Sequence, residues 1–163
     1  MACAFFAANV ALAQTKPGAK AAAPTHVKLL ASQLQWQEAP PSMPPGAKIA
    51  FLDGDPAKAG PFTIRLLLPP NYQVMTHSHP GPEYLTIIEG EFFYGEGNTL
   101  DEKKAAGYPA GSFIIFPAKH QHYVFTKNKT TIVQIQSTGP WDLTYTDVAN
   151  DPRKQKPSRP GAR

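Results

Sequence analysis

Residues 77–83 read His-Ser-His-Pro-Gly-Pro-Glu, and residues 117–122 read Pro-Ala-Lys-His-Gln-His. Together the two stretches hold four of the five histidines of this 163-residue chain. Side chains alternate between the two faces of an extended strand, so His77 and His79 are expected to point the same way. The Pro-Gly-Pro sequence favours a turn that can bring Glu83 back toward them. The two stretches therefore predict a site for a divalent metal ion with imidazole and carboxylate ligands.

The chain around these stretches consists of short runs rich in Val, Ile, Phe, Tyr and Thr, separated by Pro and Gly. This spacing is typical of a single-domain, all-β, antiparallel sandwich or barrel. The 18 prolines argue against long helices. Residues 99–106 alone have helix-forming composition, and Gly107 would end a helix there. The expected strands are 47–52, 62–68, 84–94, 112–116, 122–126, 130–136 and 143–145.

Both stretches belong to longer patterns that carry more information than a single His-x-His pair. In the first, Glu83 is followed by six residues and then Gly90. In the second, Gly111 is followed by five residues, Pro117, four more residues and then His122. Together these patterns resemble the two signature motifs of the cupin superfamily, over about residues 60–140.

The resemblance implies a small antiparallel β-barrel, or double-stranded β-helix, of the jelly-roll type. It also implies that His77, His79, Glu83 and His122 hold one divalent transition metal inside the barrel. The metal could be Fe, Mn, Ni, Co or Zn, since all of these accept mixed imidazole and carboxylate ligands. Residues 137–141 and 151–153 are similar to a group of exported bacterial single-domain cupins whose substrates are unassigned.

The sequence departs from the cupin pattern at three positions, none of which is a ligand. Asn71 and Lys119 stand where glycines are expected, and Thr126 stands where an asparagine is expected. Asn tolerates left-handed turn geometry almost as well as Gly. Lys119 is predicted to alter its turn and to place a cation near the site.

The second stretch contains two candidate histidines. The spacing from Pro117 selects His122 as the ligand, but His120 is two residues earlier and would face the same way in an extended backbone. His120 is then either a group that supports the ligands or moves protons, or a solvent-exposed turn residue. The larger aromatic residues are expected in the core or pocket wall: Trp36, Phe62, Phe92, Phe93, Phe113, Phe116, Phe125 and Trp141.

The ends of the chain differ in composition from its middle. Residues 1–13 form an apolar run ending in Ala-Leu-Ala, which predicts a signal peptide and export, most simply to a bacterial periplasm. If this segment is not a signal, a cytoplasmic location is the alternative. Residues 14–26 are predicted to be a flexible linker, 27–150 the barrel domain, and 151–163 a disordered basic tail.

The net charge of +4 does not indicate nucleic-acid binding. Residues 27–150 hold nine Lys and Arg against eleven Asp and Glu, so the positive charge lies at the ends of the chain. A phosphate-binding surface would need basic residues in the folded part. The apolar run of 13 residues is too short to span a membrane as a helix, so we expect neither a nucleic-acid partner nor a membrane span.

The metal site favours an enzyme that acts on a small oxygen-bearing molecule. Oxygenase chemistry comes first, and isomerase or hydrolase chemistry with the metal as Lewis acid second. A non-catalytic module that binds or senses a metal or small ligand is the alternative, and a metal that only braces the barrel is a third hypothesis. A homodimer formed through sheet edges is also expected.

Overall fold

The computed structural model describes residues 26–155. The predicted signal peptide (1–13), the linker up to residue 25 and the tail from residue 156 onward lie outside the described residues. Within the described range the chain forms short 3-10 turns and β-strands, which confirms the all-β prediction. The strands are β1 Gln37–Glu38, β2 Lys48–Asp53, β3 Gly60–Leu68, β4 Gln73–Ser78, β5 Glu83–Glu89, β6 Glu91–Glu96, β7 Ala106–Pro109, β8 Phe113–Phe116, β9 His122–Phe125, β10 Thr131–Gly139 and β11 Thr144–Tyr145.

The strands form two antiparallel sheets that enclose one core. The first has the order β1-β2-β3-β10-β5-β8 and the second the order β11-β4-β9-β6-β7. In the central strands β3 and β10, alternate residues are buried, so each strand presents one face to the core. The two sheets thus confirm the predicted jelly-roll barrel. None of the helical segments between residues 26 and 155 is long and apolar enough to cross a membrane.

The run expected as one strand over 84–94 is divided at Gly90 into β5, which belongs to the first sheet, and β6, which belongs to the second. The turn is centred on Gly90, whose φ is +78°. A Cβ atom there would overlap the Thr130 carbonyl oxygen and lie 2.7 Å from Thr131 Oγ1. Glycine is therefore needed at this turn for its conformation and for the close approach of β10.

Two of the positions that depart from the cupin pattern adopt left-handed backbone conformations. Asn71 has φ 57° and Lys119 has φ 63°. The Lys119 N–H donates to the His79 carbonyl at 2.8 Å, so this turn is fastened directly to the first metal-site stretch. The prediction that Lys119 alters its turn is wrong, because its backbone keeps the conformation that favours glycine, and its side chain is exposed.

No helix forms over residues 99–106, where composition had predicted one. The segment is a turn that leads into β7, in which Ala106 and Gly107 pair with β6. The Asp101 carbonyl accepts a hydrogen bond at 2.8 Å from the hydroxyl of Tyr123, a residue of β9. An eight-residue helix is marginal by itself, so these tertiary contacts decide the conformation.

The outer face of the first sheet carries an apolar patch at its β8 edge. Phe113 is 55% exposed, which contradicts its predicted place in the core or pocket wall. Ile115, Tyr84 and Ile88 are exposed beside it on β8 and β5. Every residue of β8 is apolar, so the sequence does not show which of them face the core. The structure turns Phe113 outward.

The folded part of the chain extends past residue 150, where the tail was predicted to begin. Asp151 is buried, and Pro152–Lys154 form a 3-10 turn. Arg153 makes hydrogen bonds to Asp151 and to Asp142, so its charge is neutralised in the fold. The basic composition of 151–163 predicted disorder, but these ion pairs order the part of it up to residue 155.

Candidate metal centre

Two neighbouring strands of the second sheet bring the candidate histidines together. His77 lies near the end of β4 and is the direct cross-strand partner of His122, the first residue of β9. The ring centroids of this pair are 4.5 Å apart. His79 follows β4 directly, and its ring centroid lies 5.0 Å from that of His77. All three side chains are buried inside the barrel.

The three imidazoles form a compact cluster of nitrogen atoms. One ring nitrogen from each of His77, His79 and His122 lies within 4.8 Å of the others. Three neutral imidazoles at this separation suit a transition metal, which each nitrogen would approach to about 2 Å.

Each of these rings uses Nδ1 for a hydrogen bond to a main-chain carbonyl. His77 Nδ1 lies 2.7 Å from the Met75 carbonyl oxygen, and His122 Nδ1 lies 3.1 Å from that of His120. His79 Nδ1 lies 3.0 Å from the Asp142 carbonyl oxygen. A carbonyl can only accept, so each Nδ1 carries the proton and each Nε2 keeps a free lone pair.

Glu83, the first residue of β5, lies beside the cluster and not within it. Its Oε2 is 3.6 Å from His79 Nε2, and the side chain is buried. The carboxylate falls outside the 4.8 Å group formed by the three histidines. A metal held by all four residues would therefore require the Glu83 side chain to move toward His77 and His122.

Burial sets the protonation states of the four residues in the absence of a cation. Removal from water is the main cause that lowers the pKa of His77 to about 3, of His79 to about 4 and of His122 to about 2, and the neighbouring imidazoles contribute to the lowering for His77 and His122. Burial also raises the pKa of Glu83 to about 8. The histidines are therefore neutral ligands at pH 7, while the carboxyl needs a nearby cation to ionise fully.

His120 lies outside the cluster and is half-buried. Its side chain is 29% exposed, and its Nε2 lies 3.2 Å from the Tyr94 hydroxyl and 3.5 Å from Glu96 Oε1. Its ring centroid is 6.0 Å from that of His122. The ring thus contacts polar surface groups, while its main-chain carbonyl orients His122.

Two aromatic rings hold the histidines from the sides. Phe116 stacks on His122 with ring centroids 4.1 Å apart and an interplanar angle of 3°. Trp141 stacks on His79 at 4.6 Å and 4°. Sequence analysis placed both aromatics in the core or wall but gave no sign of these pairings, because nothing in the local spacing of either residue points to its histidine.

The cluster opens onto a cavity lined by the three histidines, Glu83, Trp141 and hydrocarbon side chains of the barrel. The volume that the centre of a water molecule can reach is about 30 Å³. This is enough for about two water molecules, or for one ion and a bound water.

Arg153 is a further residue, besides Phe116 and Trp141, whose role at the site the sequence did not reveal. Its guanidinium donates to both carboxylate oxygens of Asp151 at 2.8 Å, to Asp142 Oδ2 at 2.6 Å and to the Leu143 carbonyl at 3.0 Å. It thus fixes the segment whose Asp142 carbonyl orients His79. The similarity of residues 151–153 to other cupins was the available signal.

Comparison with known proteins places the chain among proteins of the same architecture. A family model described as "Domain of unknown function (DUF4437)" matches residues 7–144. No curated protein matches the sequence.

Solved structures with this fold include three proteins that are named for different activities or only for their fold. The polyketide cyclase RemF from Streptomyces resistomycificus is 12% identical, with a TM-score of 0.64 over 78% of this chain and 90% of that one. An acetylacetone dioxygenase from Acinetobacter johnsonii is 16% identical, with a TM-score of 0.61 over 85% and 88%. An RmlC-like cupin protein from Ralstonia eutropha is 18% identical, with a TM-score of 0.58 over 75% and 73%. At these identities the likeness concerns the fold.

Proposed function

Because this chain belongs to the DUF4437 domain family and to the cupin superfamily, we propose that it is a metal-dependent enzyme acting on a small oxygen-bearing molecule. Its proposed ligands for one divalent transition metal are His77, His79, His122 and Glu83. Iron, manganese, nickel, cobalt and zinc all suit this donor set, and the metal available to the cell would decide among them.

One observation carries the proposal: three buried imidazoles converge while each holds its Nδ1 proton on a main-chain carbonyl. A polar cluster buried without partners would cost several kcal/mol, so histidines that serve only the core would be expected to satisfy both nitrogens within the protein. Here one nitrogen of each ring is satisfied, and the other is left to bind a cation.

The residues around the site suit the chemistry that such a metal supplies. A bound metal of this kind polarises an oxygen-bearing substrate or activates dioxygen. Glu83 would supply the negative charge that three neutral imidazoles lack. Phe116 and Trp141 exclude water from the sides of His122 and His79, which strengthens electrostatic interactions at the centre.

We place oxygenase chemistry first, since four protein ligands leave about two positions of an octahedral metal open to substrate and dioxygen. Isomerase or hydrolase chemistry, with the metal as Lewis acid, comes second. The fold does not choose between them, because structures with this architecture carry names as different as dioxygenase and cyclase. The narrow cavity favours one alternative, a module that binds or senses a metal or small ligand without turnover.

The test begins with elemental analysis of protein purified without chelators or a metal-affinity tag. We expect about one metal per chain in the wild type and none after the double change His77→Ala and His79→Ala. The change His26→Ala is the matched control, because His26 is exposed and belongs to neither stretch. Full metal content in the double variant, with retained β circular dichroism, would refute the site.

Turnover separates the enzyme from its alternatives. Iron-, manganese- or nickel-loaded protein should consume oxygen with enolic or catechol-like substrates if the oxygenase proposal is right. Metal-loaded protein that gains stability from such compounds without converting them would favour the binding module.

Export and dimerisation complete the proposal. The N-terminal residue found by mass spectrometry in the natural host should be Gln14 if the predicted signal is removed. The apolar β8 edge at Phe113 and Ile115 is the surface through which a homodimer would form. Light scattering after size-exclusion chromatography would give the molar mass that decides between monomer and dimer.

A further inference from the structure

The wall of the metal-site cavity is almost wholly hydrocarbon. Twelve residues line it besides the four proposed ligands, and eleven of them are aliphatic residues, phenylalanines or a methionine. No lysine or arginine is among them, and none of the eleven offers a hydrogen-bond donor to a bound molecule. A charged group placed against such a wall would lose its hydration without gaining a partner.

Trp141 is the twelfth lining residue, and its indole Nε1 is the one side-chain nitrogen or oxygen that these twelve residues contain. Its Nε1 is buried and has no hydrogen-bond partner among the described residues. Apart from the free Nε2 atoms of the histidine cluster, the other buried side-chain atom in residues 26–155 without a partner is Thr76 Oγ1, which belongs to a residue that does not line the cavity. Unpartnered buried donors are rare in folded proteins, because each costs about 1–3 kcal/mol.

The indole is also fixed in position. Trp141 lies flat against His79, with ring centroids 4.6 Å apart. Its main chain is anchored as well, since the main-chain N–H of Trp141 donates to the Pro56 carbonyl at 2.7 Å and the carbonyl of the next residue, Asp142, accepts from His79 Nδ1. The donor is therefore held at a set place beside a proposed metal ligand.

From these observations we propose that the cavity binds a small molecule that carries no charge beyond its metal-binding group. One oxygen of this molecule accepts a hydrogen bond from Trp141 Nε1–H, and its remainder is hydrocarbon that packs on the aliphatic wall. A carboxylate, a phosphate or a sugar on the part of the molecule that does not bind the metal is excluded, because the wall has no cation and too few polar groups for it. Because the space of about 30 Å³ holds only an ion and one bound water, the hydrocarbon part of the ligand enters by displacing side chains of the wall. This inference rests on the proposed metal site.

The experiment uses cobalt-loaded protein and two hydroxamic acids that share the same chelating group. Butanohydroxamic acid ends in a methyl group, and the monohydroxamate of succinic acid ends in a carboxylate at nearly the same distance. Their binding is followed through the visible spectrum of Co(II). Butanohydroxamic acid should bind at least about 30-fold more tightly, because the succinic monohydroxamate must bury an unpaired carboxylate.

The variant Trp141→Phe tests the indole donor. It keeps an aromatic ring beside His79 and removes the N–H, so affinity for butanohydroxamic acid should fall about 5- to 30-fold while Co(II) affinity changes less than twofold. Trp36→Phe is the matched control, since it makes the same change at a residue outside the cavity.

Each result has a separate meaning. Equal or tighter binding of the carboxylate probe, or unchanged probe affinity in Trp141→Phe, would refute the inference and leave the metal site intact. Failure of the wild type to bind Co(II) at all would refute the proposed site and this inference with it.

Discussion

Replacing Arg153 with Gln should weaken metal binding even though Arg153 does not touch the metal site. Its guanidinium holds the side chains of Asp151 and Asp142 and the Leu143 carbonyl. The main-chain carbonyl of Asp142 is the acceptor that fixes the ring of His79. Loss of the guanidinium frees the segment that carries this acceptor, so His79 should lose its fixed orientation.

The size of the effect follows from the contacts. The Arg153 side chain is 34% exposed, so its four hydrogen bonds are partly screened by water and together should contribute about 1–2 kcal/mol to the free energy of unfolding. Groups that orient a ligating histidine typically change metal affinity by about 10- to 100-fold. Because Arg153 acts on His79 through one intervening residue, we expect a loss of about 10-fold.

The assay is a competition titration with a chromophoric chelator, on metal-free protein, together with urea unfolding of the same samples. Arg153→Lys should recover part of the affinity, since it keeps the charge but not the two-pronged geometry. Lys104→Gln serves as the control, because it removes an exposed ion pair with Asp101 at 3.5 Å. If Arg153→Gln loses stability but binds metal as the wild type does, the Asp142 carbonyl does not depend on Arg153 and our reasoning is wrong.

Three further predictions concern pH, packing and the choice of histidine. The free energy of unfolding of metal-free protein should be greatest near pH 6.5. As pH falls below 6.5, the histidines bind protons in the unfolded chain but stay neutral in the fold, so stability decreases. Between pH 4.5 and about 8, Glu83 holds a proton in the fold but not in the unfolded chain, so this residue lowers stability as pH rises. Between pH 6.5 and 4.5 the free energy of unfolding should fall by about 3 kcal/mol per pH unit, because the unfolded chain binds three histidine protons more and one Glu83 proton fewer. Saturating metal should abolish the decline on the alkaline side. Thermal melts across pH measure both effects, and a melting temperature that falls on neither side of pH 6.5 would contradict the assigned shifts. Gly95→Ala should lower the free energy of unfolding by about 2–4 kcal/mol, because its Cβ would overlap the ring of Tyr123 on the paired strand; equilibrium unfolding with an unchanged midpoint would show that Tyr123 moves freely. His122→Gln should reduce metal affinity far more than His120→Gln by the same titration, and the reverse order would exchange their roles.

The sequence contained the fold class and the stretches that form the site, because both depend on local patterns. Short runs of β-branched and aromatic residues between Pro and Gly predicted the strands, and two spaced motifs predicted that His77, His79 and His122 would be neighbours. The placement of these rings depends on the pairing of β4 with β9. Motif spacing within a known family carries that pairing implicitly, which is why a single sequence was enough.

Other features depend on contacts that no local pattern encodes. The stacking of Trp141 on His79 joins residues on separate segments. Phe113 lies in the run Phe-Ile-Ile-Phe, where every residue is apolar and nothing marks which face is outward. The basic composition around Arg153 predicted a disordered tail, because composition does not show that the fold places Asp142 and Asp151 in ion pairs with Arg153.

The three carbonyls that orient the histidines differ in their distance along the chain, and this difference sets an order of events. Met75 and His120 each lie two residues before the histidine they hold, so those rings are oriented as soon as their own strands form. Asp142 lies 63 residues from His79, so the third ring is oriented only after the last segment of the domain has docked. A refolding chain should therefore pass first through a stage with two organised imidazoles and weak metal affinity. Tight binding should appear late, in step with the closure of the C-terminal segment, so that metal uptake reports the completion of folding.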